Sequence, residues 1–273
     1  MGYEVNEQPM VDATIFYHDN GHYSSVKFCE TVLFAFKKYG YFDVTNIELG
    51  KHKFVNGILK DYVVRYSKKD VSKIDLQAEI FAWVNDDEIT YISFIHKEQR
   101  HLIWNISWYK NYTMPDGVSI SDYMFNYLVI ESSYERLEIT DIQDSYIELF
   151  CNLADVFEAF YGRIEDISTA ISVMDRTKER CFSDEYLQSI YWGNYFGKKI
   201  CEDLSKEKLE QLLVAHKKFT EAGFFFTLTD DIKDSATFPD WRLRKKVYKQ
   251  LAPSRKCRLS DFKCADGQNE PET

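Results

Sequence analysis

Two histidines and an aspartate fall within the five residues His18, Asp19, Asn20, Gly21 and His22, directly after an apolar run. Imidazole and carboxylate at that spacing could hold a divalent cation, and the loop could then serve a small metal-dependent enzyme. Such a site needs a third protein ligand, and none stands at a recognisable distance. A polar loop leading into the next helix accounts for the same residues. His96 and His101, on either side of a short polar run, read the same way. Carboxylates do acid–base work when an apolar pocket drives their pKa values apart. They cluster at Asp86, Asp87 and Glu88, and again at Asp230 and Asp231. Each group ends a strand-like run with no apolar pocket in view, so solvated turns are expected. No HExxH, GxSxG or zinc-deaminase pattern occurs. The expectation is a chain with no catalytic residues, no cofactor and no metal.

The stretch "YWGNYFGKK" from Tyr191 to Lys199 raises the same question in another form. Glycines between a strand and a helix can bring bare backbone to a phosphate. Here there are two, Gly193 and Gly197, no GK[ST] follows, and bulky aromatics would block a diphosphate. A packing corner fits better. Gly193 lets another element approach a strand closely, and Gly197 permits a sharp turn.

These groups need elements to hold them. Asp12–His18 reads as a strand. Val26, Cys29, Leu33 and Phe36 share a helical face that Gly40 ends. Strands are expected at Phe42–Leu49 and Asp61–Tyr66. Every second residue is apolar in Leu76, Ala78, Ile80, Ala82 and Val84, and alternation recurs at Ile89–Ile95 and Leu102–Trp108, which predicts an antiparallel meander. Ser145 and Glu148 form a capping-box pattern before a stripe of Ile147, Phe150, Ala154, Phe157 and Tyr161, with Gly162 as its stop. Strands follow at Ile164–Val173 and Tyr186–Tyr195. A helix capped by Ser205 and stapled by Leu204 and Leu209 carries Leu209, Leu212, Leu213 and His216 on one face. Gly223 opens a strand with Phe224, Phe226 and Leu228 on one side. A last helix runs from about Pro239 to Leu251. The fold class is α+β, mostly antiparallel sheets with helices packed on one face, in two similar halves. Residues 1–140 and 141–253 make those halves, within one continuous globular unit, and residues 254–273 form a mobile tail.

The chain has 273 residues and 16% aromatics, enough for a large core. No stretch is long and apolar enough to span a membrane, and the first residues do not read as a secretory signal. Six cysteines without a CxxC pair suit reduced, buried thiols and a cytoplasmic protein. The net charge of −10 is uneven. Asp240–Cys264 holds nine Lys or Arg against two Asp, or +7, which leaves −17 on the rest. An acidic body discourages nucleic acid as main ligand and suits a basic partner. Arg242, Lys245, Lys246 and Lys249 form a basic stripe on the last helix, which could make a nucleic-acid-binding module. A docked helix with a solvated face fits the same spacing.

The segment "YWGNYFGKKICEDLSKEKLEQLLVAHKKFTEAGFFFTLTDD", followed by "DWRLRKKVYKQLAP" and preceded by "FEAFYGRIED", resembles the C-terminal part of bacterial polymorphic-toxin immunity proteins, in particular the immunity protein 52 family. The pattern is an aromatic-Asn-aromatic-Gly corner, a short helix ending near Ala-His, a glycine-led strand ending in Thr-Asp, and an Arg-rich last helix. It covers about a third of the chain. Lys198 after Gly197 departs from the Gly-Pro-rich corner of some relatives. The resemblance implies an antitoxin without catalysis of its own, paired with a secreted effector of the type VI kind, and a partner that is a DNA-cleaving nuclease with a basic surface.

Carboxylates that would meet such a surface concentrate in two places. Glu131, Glu135, Glu138, Asp141 and Asp144 precede the second-half helix, with Tyr134 and Tyr146 as possible anchors. Asp86, Asp87 and Glu88 tip the meander. The first region is the expected toxin contact, steering association electrostatically.

Overall fold

In the computed structural model, residues 10–18, 26–39, 44–55, 58–86, 91–96, 104–113, 124–134, 142–166, 189–234 and 241–251 are described. The first strand, β1 (Met10–Tyr17), alternates its side chains between two buried environments. Val11, Ala13, Ile15 and Tyr17 enter one core and Phe16 the other. Helix α1 (Val26–Lys38) follows, burying Phe28, Cys29, Val32, Leu33, Ala35 and Phe36, with Lys37 and Lys38 completing its last turn. Strands β2 (Val44–Val55) and β3 (Ile58–Asp70) form a long hairpin.

Helix α2 (Leu76–Val84) stands where alternation predicted a strand. Nine residues with apolar side chains at every second position also place Leu76, Ile80 and Trp83 on one helical face, and those three are buried. The deciding signal is Asp75. Its carboxylate accepts from the N–H groups of Gln77 and Ala78 at 3.1 and 3.2 Å and caps the helix. The meander itself is β4 (Tyr91–His96), β5 (Trp104–Thr113) and β6 (Met124–Ser133).

Helix α3 (Ile142–Val156) starts a turn before the capping box, so Ser145 lies inside it, and it stops before Phe157. Tyr161 and Gly162 belong to β7 (Tyr161–Asp166), not to the helix. After it come β8 (Gly193–Gly197), α4 (Lys198–Leu204), α5 (Lys206–Glu210), β9 (His216–Phe219), β10 (Gly223–Thr227) and α6 (Trp241–Leu251). The strand expected at Tyr186–Tyr195 begins only at Gly193 among the described residues, and that expected at Ile164–Val173 is described to Asp166. Ser205 does precede α5, but with φ 65° and no side-chain cap. That helix ends at Glu210, which leaves Leu213 exposed and puts His216 in a strand.

Among the described residues, all ten strands join one antiparallel sheet in the order β3-β2-β4-β5-β6-β1-β7-β8-β10-β9. Helices α1, α2 and α3 cover one face. Helices α4, α5 and α6 cover the opposite face over β7, β8 and β10. The fold is therefore α+β with a mostly antiparallel sheet. One register row runs across eight neighbouring strands through Tyr91, Tyr109, Tyr127, Phe16, Tyr161, Phe196, Phe224 and Phe219. Ring centroids along it lie 6.3 Å apart for Phe16–Tyr127 and Phe16–Tyr161, 6.2 Å for Tyr161–Phe196 and 4.8 Å for Phe219–Phe224. Cross-strand aromatic pairs of this kind fix register.

The glycine corner packs as its sequence implies, by close approach at Gly193 as expected and for a different reason at Gly197. Gly197 has φ −72°, so no special turn is needed. A Cβ there would stand 2.1 Å from the carbonyl oxygen of Ala159. Gly193 lies against Ile164, whose Cβ would be 2.9 Å from an added methyl.

A second tie holds the β9–β10 turn to α3. Asp155 Oδ1 accepts from Tyr195 Oη at 2.7 Å, Thr220 Oγ1 at 2.6 Å and Ala222 N at 3.2 Å, and Oδ2 accepts from Glu221 N at 3.2 Å. Hydrogen bonds to an ionised group contribute about 1.5–3 kcal/mol. Asp155→Ala should therefore lower unfolding stability by about 2–3 kcal/mol, read from urea denaturation. A change within error would mean that water replaces all four bonds.

Candidate interaction surface

Three carboxylates stand in one row at the centre of the sheet. Glu131 of β6 faces Asp12 of β1, and Asp12 faces Glu165 of β7. Like charges directly opposite repel, so the row needs cations. Arg163 places Nη2 3.2 Å from Asp12 Oδ2. Arg244, reaching in from α6, places Nη1 2.5 Å from Glu165 Oε2 and donates to the carbonyl of Ile190 at 2.7 Å. The Trp192 N–H donates to the same Glu165 oxygen at 2.9 Å. Glu165 is 0% exposed and Arg244 4%. Burial raises the carboxyl pKa of Asp12 and of Glu165, against the pull of Arg163 on the first and Arg244 on the second. The Tyr191 ring lies 5.1 Å from the Arg163 guanidinium. Among the described residues, Asp12 Oδ1 and Arg163 Nε and Nη1 find no hydrogen-bond partner.

Sequence reasoning missed most of this network. Arg244 lies at the same helical spacing as Val247, Tyr248 and Leu251, all buried. A cation on an apolar stripe was the available signal, because it demands a buried partner. The partner, Glu165, sits in the "GRIED" run that the sequence displays without showing which way its charges point.

The carboxylates expected at the surface fall in three groups. Glu131 is half-buried in the row above, Asp86 is half-buried after α2, and Asp144 is exposed in the first turn of α3. Asp87, Glu88, Glu135, Glu138 and Asp141 lie outside the described residues. Tyr134 and Tyr146 are corrected: neither ring is a surface anchor. Tyr134 is 8% exposed and donates to Asp166 Oδ2 at 3.2 Å, while Tyr146 is fully buried and donates to the carbonyl of Ile130 at 2.7 Å. A phenol beside a strand packs inward when its hydroxyl can reach an acceptor.

The remaining chemical groups read as structure. His18 is exposed and stacks on Phe160 at 4.6 Å, and His22 is outside the described residues. No group of three or more potential metal ligands occurs among the described residues. Asp230 and Asp231 are exposed in a turn, with Asp230 2.9 Å from His216 and Asp231 accepting from the Lys233 N–H. The basic stripe Arg242, Lys245, Lys246 and Lys249 is exposed, and α6 docks through the opposite side. Cys29 and Cys151 are buried, and burial pushes the Cys29 thiol up to about 11.

These features define an α+β protein built on one ten-stranded antiparallel sheet, clamped by buried ion pairs, with acidic side chains along its surface. No helix among the described residues is long and apolar enough to cross a membrane. No protein-family model matches the chain, and no curated protein does. Among solved structures, the fold is similar to that of the Pseudomonas aeruginosa T6SS protein PA0821, with a TM-score of 0.56 and 9% identity over 89% of this chain and 76% of that one. At that identity the likeness concerns the fold.

Proposed function

We propose that this chain is a cytoplasmic immunity protein of the immunity protein 52 type. It binds and neutralises a cognate toxin, a DNA-cleaving nuclease effector delivered by a type VI secretion system. The observation that carries the reading is a fold shared over 89% of the chain with a T6SS protein. The C-terminal pattern at 191–231 and 240–253 resembles that immunity family independently. Charge supports the partner's class. A nuclease presents a basic surface to DNA, and a chain of net charge −10 is attracted to it. The chain acts by binding, without catalysis, cofactor or metal of its own.

The test is to read the gene immediately upstream and to co-express the nuclease domain that it is expected to encode. Growth arrest by the nuclease alone should be relieved, and purified chain should block plasmid cleavage at one-to-one stoichiometry. Cleavage unaffected by excess chain would refute the reading. The contact surface is the Glu131–Asp144 region. Reversing Glu135, Glu138 and Asp141 to Lys should slow association about tenfold at low salt and flatten its salt dependence, with folding retained. An unchanged association rate for the folded triple variant would move the interface elsewhere.

A further inference from the structure

Helix α6 holds five Lys or Arg and no Asp or Glu in its 11 residues. Arg244 turns inward to Glu165, whereas Arg242, Lys245, Lys246 and Lys249 stand exposed. Among the described residues, Lys245, Lys246 and Lys249 form no ion pair. Lys245 and Lys249 are four apart, where like charges repel along a helix. A solvated face relieves that by interleaving carboxylates, and a chain with 44 Asp or Glu against 34 Lys or Arg has them available. The helix beneath the stripe is firmly held. Val247, Tyr248 and Leu251 are buried, Arg244 donates to the Ile190 carbonyl at 2.7 Å, and Gln250 donates to the Gln211 carbonyl at 2.8 Å. Side chains on a fixed helix meet a partner at a reduced ordering cost.

We infer that this lysine stripe docks on the carboxylates with which the nuclease holds its catalytic divalent cation, an ammonium standing where the metal would. The inference rests on the neutralising role proposed above and names how that role is exerted. A nuclease that cleaves DNA with a divalent ion keeps acidic ligands for it inside the basic groove that takes the DNA. A partner that blocks such a groove needs both signs of charge side by side. This chain has them on one face of its sheet. Glu131, Asp12 and Glu165 share that face by register, and α6, which covers it, reaches Glu165 through Arg244. At the usual strand spacing of about 4.8 Å, Glu131 lies about 10 Å from Glu165. The acidic contact region thus begins two strands from the cationic helix. Its carboxylates meet the DNA-binding rim while the lysines meet the metal centre. Duplex DNA is the other partner for a basic stripe. Helix α6 carries +5, so the chain's −10 leaves −15 elsewhere, which opposes DNA.

Titration calorimetry of the full chain with the purified nuclease domain tests it, in EDTA and in saturating MgCl2 at matched ionic strength. Magnesium should weaken wild-type binding about tenfold, because the ion and the lysines compete for the same carboxylates. The variant Lys245→Gln/Lys246→Gln/Lys249→Gln should bind about thirtyfold more weakly in EDTA and lose the magnesium dependence, with native circular dichroism. The variant Lys245→Glu/Lys246→Glu/Lys249→Glu takes the net charge from −10 to −16. It should bind more weakly still, although its overall attraction to a basic nuclease has grown. Wild-type binding that magnesium leaves unchanged overturns the inference and leaves the neutralising role standing, as does a lysine variant of unchanged affinity. Tighter binding of the wild type to a duplex DNA than to the nuclease also overturns it. A wild-type chain that does not bind the nuclease overturns both readings.

Discussion

Arg244→Met is expected to lower the unfolding free energy by about 3–5 kcal/mol, because it takes from the fully buried Glu165 the guanidinium that pairs with it. The loss should depend on pH in a definite direction. Burial raises the Glu165 pKa above its ordinary 4.5, so between that value and the folded-state one the folded chain keeps a proton that the unfolded chain has released. A carboxyl shifted upward costs stability as pH rises through the window between its unfolded and folded values. Removing Arg244 widens that window. The deficit of the variant should be largest at neutral pH and shrink on acidification toward the ordinary carboxylate range. A double replacement, Glu165→Gln/Arg244→Met, should recover much of the loss, since the charge that needed compensation is gone. Denaturant titrations across pH for the three proteins measure all of this. Equal deficits at every pH would show that Arg244 acts through packing.

Gly197→Ala should cost about 2–3 kcal/mol. The new methyl would meet the Ala159 carbonyl oxygen at 2.1 Å and the Phe160 Cα at 2.8 Å, both backbone atoms. Neither can swing away, and the Gly197 N–H bond to the Phe160 carbonyl at 3.0 Å ties the two segments at that spot. Gly162→Ala is the control. Its nearest clash is the far edge of the Phe150 ring at 2.8 Å, which can tilt, so about 1 kcal/mol is expected. Thermal unfolding of both variants tests the ranking, and a milder effect at Gly197 would refute the close-approach account.

How far the sequence could be read follows from what each segment's pattern had to compete with. β1, α1, β4, β5, β10 and α6 were legible because their apolar periods run clean between polar breaks. Leu76–Val84 was not, since a nine-residue run satisfies periods of both 2 and 3.6. Its capping Asp75 is the residue that separates the two. The expected elements include no strand over β6 and no turn at Asn56-Gly57, although that dipeptide between Val55 and Ile58 is a two-residue hairpin signal. Of the expected contact residues, Tyr134 and Tyr146 went inward because residue type alone does not tell an interface ring from a core ring. The Asp12–Arg163 and Glu165–Arg244 pairs are long-range in sequence, so no local pattern joins them.

The central place of β1 governs when the molecule can exist during synthesis. Its residues Met10–Tyr17 bond to Asn126–Ser133 on one side and to Tyr161–Asp166 on the other. At about 5–20 residues per second, a ribosome takes roughly 8–30 s to make the last of those partners after β1 itself. Both backbone edges of the strand stay open until Ser133 is made, one stays open until Asp166, and closing such long loops is slow. A nascent chain that stops before Tyr161 therefore lacks the strand that joins β1 to β8 and the far side of the sheet. The strand that organises the sheet is thus among the first made and among the last to be fully paired.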